Sequence, residues 1–259
     1  MDSRRVFVGV SAIVFVASAT KTIATCASMS AIGEMRMPGG WTMSHMWMLG
    51  PEQTWLGATA SFVSMWVVMM VTMMLPSLTP TLWCYRESVG RTGTAPLGRL
   101  TALVGVGYFA VWMVLGVVVF PVGVVLADIA MREQDLSRAV PMAVGAALLV
   151  AGVLQHTGWK ARHLAFCREA AGWCLTPPAG AGAAWRHGLC LGLHCSQSCA
   201  GLTAVVLALG VMDLRVMGAV TAVITLERLA PNGVRVARAT GMVVVAVGLL
   251  VIARAAGPG

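Results

Sequence analysis

The sequence predicts an all-α fold, a polytopic transmembrane helix bundle of about seven helices that fills residues 1–259 as a single integral membrane domain. Three observations predict it. The chain of 259 residues is 58% hydrophobic and 11% charged, with a mean hydropathy of +0.81. Apolar runs of roughly 20 residues, enough to cross ~30 Å of hydrocarbon, recur along its whole length. No stretch between them has room for a sizeable soluble domain. The net charge of +8 fits loop residues facing an anionic leaflet. No basic block or aromatic-interleaved basic run is present, which excludes nucleic acid as a partner. The seven cysteines are an odd number in no small secreted frame, which argues against a disulfide scaffold.

The first apolar run, Val6 to about Met29, is longer than the core of a signal peptide and reads as a transmembrane helix. Lys21 lies inside it, either snorkelling to an interface or pairing with an acid on another helix. A polar connection over 30–54 follows, with Met35, Met37, Met43, His45, Met46 and Met48. Several thioethers and one imidazole within a few residues resemble an extracytoplasmic copper-capturing segment. The same methionines, with Trp41 and Trp47, can instead dip into the membrane interface.

The second helix, about 55–82, carries Met65, Met69, Met70, Met73 and Met74. Helical spacing puts Trp66, Met69, Met70 and Met73 on one face, flanked by Met74. Thioethers suit Cu(I) and are also adaptable filler for irregular packing. Pro76 and Pro80 are expected to kink or end this helix.

A third helix over about 98–127 has small residues spaced for close helix approach around Tyr108 and Trp112. A fourth covers about 139–157. The connection over 158–187 holds Lys160, His163, Cys167, Cys174 and a Pro177–Pro178 break. If helical, it puts His163 and Cys167 on one face, toward a metal or into packing.

The fifth helix, about 188–212, opens on the densest group of donors, His187, Cys190, His194, Cys195 and Cys199. Thiolate and imidazole suit Cu(I) or zinc; cysteine is also a small packing residue in membrane helices. A tight turn with Asp213 and Arg215 leads to a sixth helix over about 216–230. It ends in Glu227 and Arg228, read as an adjacent salt-linked or snorkelling pair. The seventh spans about 239–255.

With a cytoplasmic N-terminus, twelve basic residues fall on inside segments, from Arg4 and Arg5 through Lys160, Arg168 and Arg228 to Arg238, and five fall outside. The positive-inside rule then sets that orientation in the cell inner (plasma) membrane. The methionine–histidine segment faces outward, and the thiols lie near the reducing inner face.

Four stretches resemble the family of predicted metal-binding integral membrane proteins labelled domain of unknown function 2182, some members of which are named copper chaperones. They are Trp66, Met69, Met70, Met73, Met74, Pro76, Ser77 and Pro80; Gly107, Tyr108 and Trp112; Gln155, Lys160, Cys167 and Arg168; and His187, Gly188, Cys195, Cys199, Gly210 to Asp213, and Glu227. Together they run from about 60 to 231. The family usually shows Cys-x-Gly-Cys-Cys-Trp in the fifth helix, where this chain has Ser198 and Ala200. The resemblance implies a membrane fold and a metal role.

The functional expectation is an integral membrane protein that handles Cu(I). Met43, His45, Met46 and Met48 capture it. Met69, Met70, Met73 and Met74 relay it. His187, Cys190, His194, Cys195 and Cys199 hold it, with zinc as the other candidate. The expected surroundings are the lipid membrane and a membrane-protein or metallochaperone partner. Two other readings are a non-catalytic subunit of a larger membrane complex and a membrane thiol redox protein working through Cys195/Cys199 or Cys167/Cys174. No nucleotide loop and no paired carboxylates at helical spacing point to an enzyme.

Overall fold

A computed structural model describes residues 3–33, 35–48, 54–90, 96–169 and 180–257. It is helical almost throughout. The elements are α1 (Ser3–Ile32), the two-residue strands β1 (Met35–Arg36) and β2 (Thr42–Met43), a 3₁₀ turn (His45–Trp47), α2 (Trp55–Gly90), α3 (Leu97–Arg132), α4 (Gln134–Leu154), α5 (Gly158–Glu169), α6 (Ala181–Leu209), α7 (Leu214–Leu229) and α8 (Gly233–Ala256). Six of the helices, α1, α2, α3, α4, α6 and α8, are long and apolar enough to cross a membrane. The expected sixth helix is present as α7, but its 16 residues extend only ~24 Å at 1.5 Å per residue. The bundle is therefore six long helices with a short α7 packed against α2, α6 and α8. The connection after α4, where the sequence leaves a helix open, contributes α5.

Helices α2 and α3 run antiparallel, and α3 and α6 run side by side at unusually close range. A side chain at Gly188 would collide with the Val104 carbonyl, and a Cβ at Gly192 would stand 2.7 Å from the Tyr108 carbonyl. Small residues at a helix contact let backbones approach, as membrane helices require. Here the approach carries Tyr108 toward the middle of α6.

Pro76 and Pro80 do not end α2, which runs on to Gly90. Each proline removes one backbone donor, and neighbouring hydroxyls give carbonyls of the same turns other partners. Ser77 Oγ donates to the Met74 carbonyl at 3.0 Å and Thr79 Oγ1 to that of Leu75 at 2.8 Å. The carbonyls the prolines leave without a helical donor are those of Thr72 and Pro76, four residues before each, so these hydroxyl bonds go to neighbouring carbonyls and not to the freed ones.

The methionine-rich connection is a short antiparallel hairpin with Met35 opposite Met43. Gly39 and Gly40, both at positive φ, turn it. It is pinned to the start of α4 by Trp41 Nε1 donating to the Ser137 carbonyl at 2.9 Å and Ser137 Oγ to that of Pro38 at 3.1 Å. At the opposite end of the bundle Arg168 on α5 closes α7. It donates to the carbonyls of Glu227, Arg228, Ala230 and Pro231, groups a helix C-terminus leaves without partners. The other end of α7 is capped by Asp213, which accepts from the backbone of Arg215 and Val216, as N-cap chemistry predicts. Lys21 is exposed, which agrees with snorkelling, not with a buried acid partner.

Candidate functional site

The methionine helix supplies the first wall of the site. Trp66, Met69, Met70, Met73 and Met74 are all at most 2% exposed. Trp66 is oriented by its indole, which donates to the Trp112 carbonyl at 2.9 Å. Met74, fully buried, presents its sulfur to Cys195 on α6, Sδ to Sγ 3.9 Å. The Tyr108 hydroxyl from α3 reaches the same thiol at 2.8 Å. The relay and holding residues expected as separate stations therefore meet here, α2 against α6.

One turn along α6, Cys199 lies 1% exposed beside Ser198, whose hydroxyl is 3.7 Å from the Cys199 sulfur and 3.9 Å from that of Cys167 on α5. Arg228 on α7 faces both thiols. Its Nη2 is 3.6 Å from Cys167 Sγ and 3.9 Å from Cys199 Sγ, and its Nη1 donates to Ser77 Oγ at 3.3 Å. Ser77 in turn holds the Met74 carbonyl, so the cation is linked to the same turn of α2 that carries the thioether. Burial pushes the Cys167 thiol up from its ordinary pKa, and the Arg228 guanidinium pulls it back.

Behind the thiols lies a buried ion pair. Lys160 Nζ is 2.6 Å from Glu227 Oε2, and both side chains are under 5% exposed. Lys160 also donates to the Ser198 carbonyl at 2.5 Å, and Gln155 reaches the other Glu227 oxygen at 3.4 Å. Glu227 and Arg228 are thus not paired with each other and do not snorkel. Glu227 turns to α5 and Arg228 to the sulfurs. Two of the twelve residues read as inside loop charges, Lys160 and Arg228, sit in the bundle, which leaves ten against five.

The five donors of α6 do not converge on one another. At 100° per residue they spread over about half the helix circumference, so each meets a different neighbour. His187 stacks on Tyr85. Cys190 is exposed. His194 faces α5, its Nδ1 3.1 Å from that of His163 and its ring stacked on Phe166. Only Cys195 and Cys199 enter the site. His163 and Cys167 also part, the first toward His194 and the second toward Arg228. Nor do the two thiols lie at an open mouth, since both are buried.

Three of the hairpin's methionines, Met35, Met37 and Met43, pack in one cluster. Met43 packs with Met37, Ala127 and Ala130, and Met46 against the main core. Met48 is half-buried. The side chain of His45, together with Cys174, Pro177 and Pro178, lies outside the described residues. Among those described, no group of three or more His, Cys, Asp or Glu side chains is arranged to hold a metal ion. Thioethers widen the set. Met74 and Cys195, 3.9 Å apart, would be two soft donors to a bound Cu(I).

A family model described as PpoB2, copper chaperone, matches residues 63–251. The chain belongs to this copper-chaperone family. The match contains all four stretches on which the sequence resemblance rests, and the structure now gives those stretches one location, since Met74, Ser77, Tyr108, Lys160, Cys167, Cys195, Cys199 and Glu227 line or support a single site. The family's description shares the copper-chaperone naming, not the domain-of-unknown-function label. Nothing here speaks for zinc. No curated protein and no solved structure matches the chain.

The residues that sequence reasoning passed over are Tyr108, Lys160, Ser198, Glu227 and Arg228 as parts of the site, and Cys167 as the partner of Cys199. Several of them were visible in the resemblance, but nothing in local periodicity links Lys160 to a carboxylate 67 positions away.

Proposed function

We propose that this protein takes up Cu(I) within the membrane and holds it on sulfur from three helices before passing it to a partner. Cys195 and Met74 form one side of the holding site and Cys199 with Cys167 the other. The observation that carries this reading is the contact of Met74 with Cys195 at no solvent exposure, inside the segment that the copper-chaperone family matches. Thioether and thiolate are soft donors suited to Cu(I), and exclusion of water protects that oxidation state. Binding displaces the thiol protons, so loading releases acid.

In this reading Met69, Met70 and Met73 lie on the approach, and Met43, His45, Met46 and Met48 supply capture at the hairpin end. The ten-to-five distribution of loop charge supports a plasma-membrane protein with a cytoplasmic N-terminus, the hairpin outside and the thiol end inside. A metallochaperone or membrane protein with its own thiols is the acceptor.

For Cys195/Cys199 the redox alternative is disfavoured by helix geometry, while Cys174 of the other pair lies outside the described residues. Residues i and i+4 on a helix have Cβ atoms ~5–6 Å apart, beyond the ~3.5–4.5 Å of a disulfide. Elemental analysis of protein purified under reducing conditions tests the proposal. Wild type is expected to carry copper, and Cys195→Ser/Cys199→Ser to fold, insert and lose most of it. Equal copper in both would return the protein to the reading of a structural membrane subunit.

A further inference from the structure

We propose that Cys26 on α1 and Met212 in the turn between α6 and α7 form a second Cu(I) site, a station from which the metal moves along the methionine face to Cys195. The inference rests on the Cu(I) reading above and deepens it.

Cys26 is 3% exposed, and its sulfur lies 3.7 Å from that of Met212, a residue 186 positions away in the chain. The contact repeats, between other helices, the meeting of thiol and thioether seen at Cys195 and Met74. The fold places each half firmly. Among the described residues of α1, those fully buried are Ser18, Thr22 and Cys26, four apart and so on one face. Met212 follows Gly210, whose positive φ ends α6, and precedes Asp213, which caps α7. Its neighbour Val211 is buried. The half-buried thioether therefore stands on a fixed turn.

The contacts of α1 with α2 set the level of the pair. Ser3 meets Arg86, Phe7 meets Trp83 and Thr22 meets Thr72, so the two helices are antiparallel. Cys26, one turn beyond Thr22, then stands level with about Val68 and Met69. Cys26, Met69, Met70, Met73 and Met74 belong to one buried cluster, and Met212 packs against it. From Met69 to Met74 α2 advances only ~7.5 Å, with the thioethers of Met70 and Met73 in between. Thiol and thioether are soft donors suited to Cu(I). On binding, the Cys26 S–H bond gives way to a Cu–S bond, one proton leaves, and the Met212 sulfur adds a second bond. Two sulfurs hold the ion less firmly than the larger set around Cys195 and Cys199, which directs transfer from the first site to the second.

The test is anaerobic Cu(I) titration of the full-length protein in detergent with a reductant, read by competition with a chromophoric chelator. Wild type is expected to bind a tight equivalent and a second one at least tenfold weaker. The weaker one empties during purification, so elemental analysis of purified protein reads the inner site and titration reads both. Cys26→Ser should lose the weaker equivalent and keep the tight one within about twofold. Met212→Leu keeps volume on an accessible turn, and it should weaken the second equivalent at least tenfold, which carries the test if Cys26→Ser does not accumulate. Cys195→Ser/Cys199→Ser should show the reverse, loss of the tight equivalent with the weaker one kept. If Cys26→Ser and Met212→Leu bind as wild type does, the contact is packing and the proposal falls while the inner site stands. If Cys195→Ser/Cys199→Ser keeps the tight equivalent, it is the functional reading of the inner site that falls, and a wild type that binds no Cu(I) overturns both.

Discussion

The hairpin over Met35–Trp47 and the middle of α6 both drew attention as soft-donor segments, and they differ in what the rest of the chain brings to them. Around Met43 stand the thioethers of Met35 and Met37 with Ala127 and Ala130, and the hairpin's polar contacts to α4 are the two hydrogen bonds with Ser137. Around Cys195 and Cys199 stand a tyrosine hydroxyl, a serine, a guanidinium and an ion pair, drawn from α2, α3, α5 and α7. Polar groups are costly to bury in an apolar bundle, so their convergence on two thiols is what sets this region apart. Donor type and spacing alone make the two regions look alike.

The largest expected effect sharpens this contrast. Lys160→Met leaves Glu227 buried without its partner, a loss of about 3–5 kcal/mol. Thermal unfolding in detergent should show it as a large drop in midpoint, whereas Arg36→Met on the exposed hairpin strand should leave the midpoint nearly unchanged. The comparison breaks if the two behave alike.

Smaller in stability but more direct in function is the pair Met74→Leu and Met43→Leu. Both keep volume, so each should cost less than about 1.5 kcal/mol. Only Met74→Leu removes a sulfur in contact with a thiol, and it should lower Cu(I) affinity about tenfold. Met43→Leu should leave equilibrium affinity unchanged and, if the hairpin captures copper, slow loading. Equal affinities in wild type and Met74→Leu would assign the methionine face to packing.

The smallest effect concerns His163. Burial, then the facing His194 and Arg162, lowers its pKa from the ordinary imidazole value. The unfolded chain therefore binds the proton more readily than the folded one. The stability contribution is complete above the unfolded value of about 6.5 and is lost as pH falls through the lowered folded value. A shallow fall in unfolding midpoint below about pH 6.5, flattened by His163→Phe, is expected, and an unchanged slope in that variant would place the titration elsewhere.

Much of the fold was legible because apolar length is a one-dimensional signal. The long runs around Met70, Val111 and Val244 are helices wherever they pack. Helix α5 was less so, since twelve residues containing Lys160, Arg162 and Arg168 look like loop until Lys160 finds Glu227. Of the two outcomes expected of Pro76 and Pro80, a kink or an end, the end is not seen, since α2 runs through both to Gly90. Met74, Cys195 and Cys199 were singled out by residue type, and the fold brings Met74 against Cys195. The scattering of His187, Cys190 and His194 followed from helix angle, and the role of Arg228 depended on a fold that brings α7 beside α2.

Arg168 immediately follows the thiol-bearing Cys167 and grips four consecutive-turn carbonyls at the foot of α7. A donor so anchored is not a free arm. Any displacement of α5 that withdraws the Cys167 sulfur also pulls on the segment that carries Glu227 and Arg228, so the thiol, the guanidinium and the neighbouring ion pair are tied together. The end of α7 and the thiol of α5 are therefore one mechanical unit.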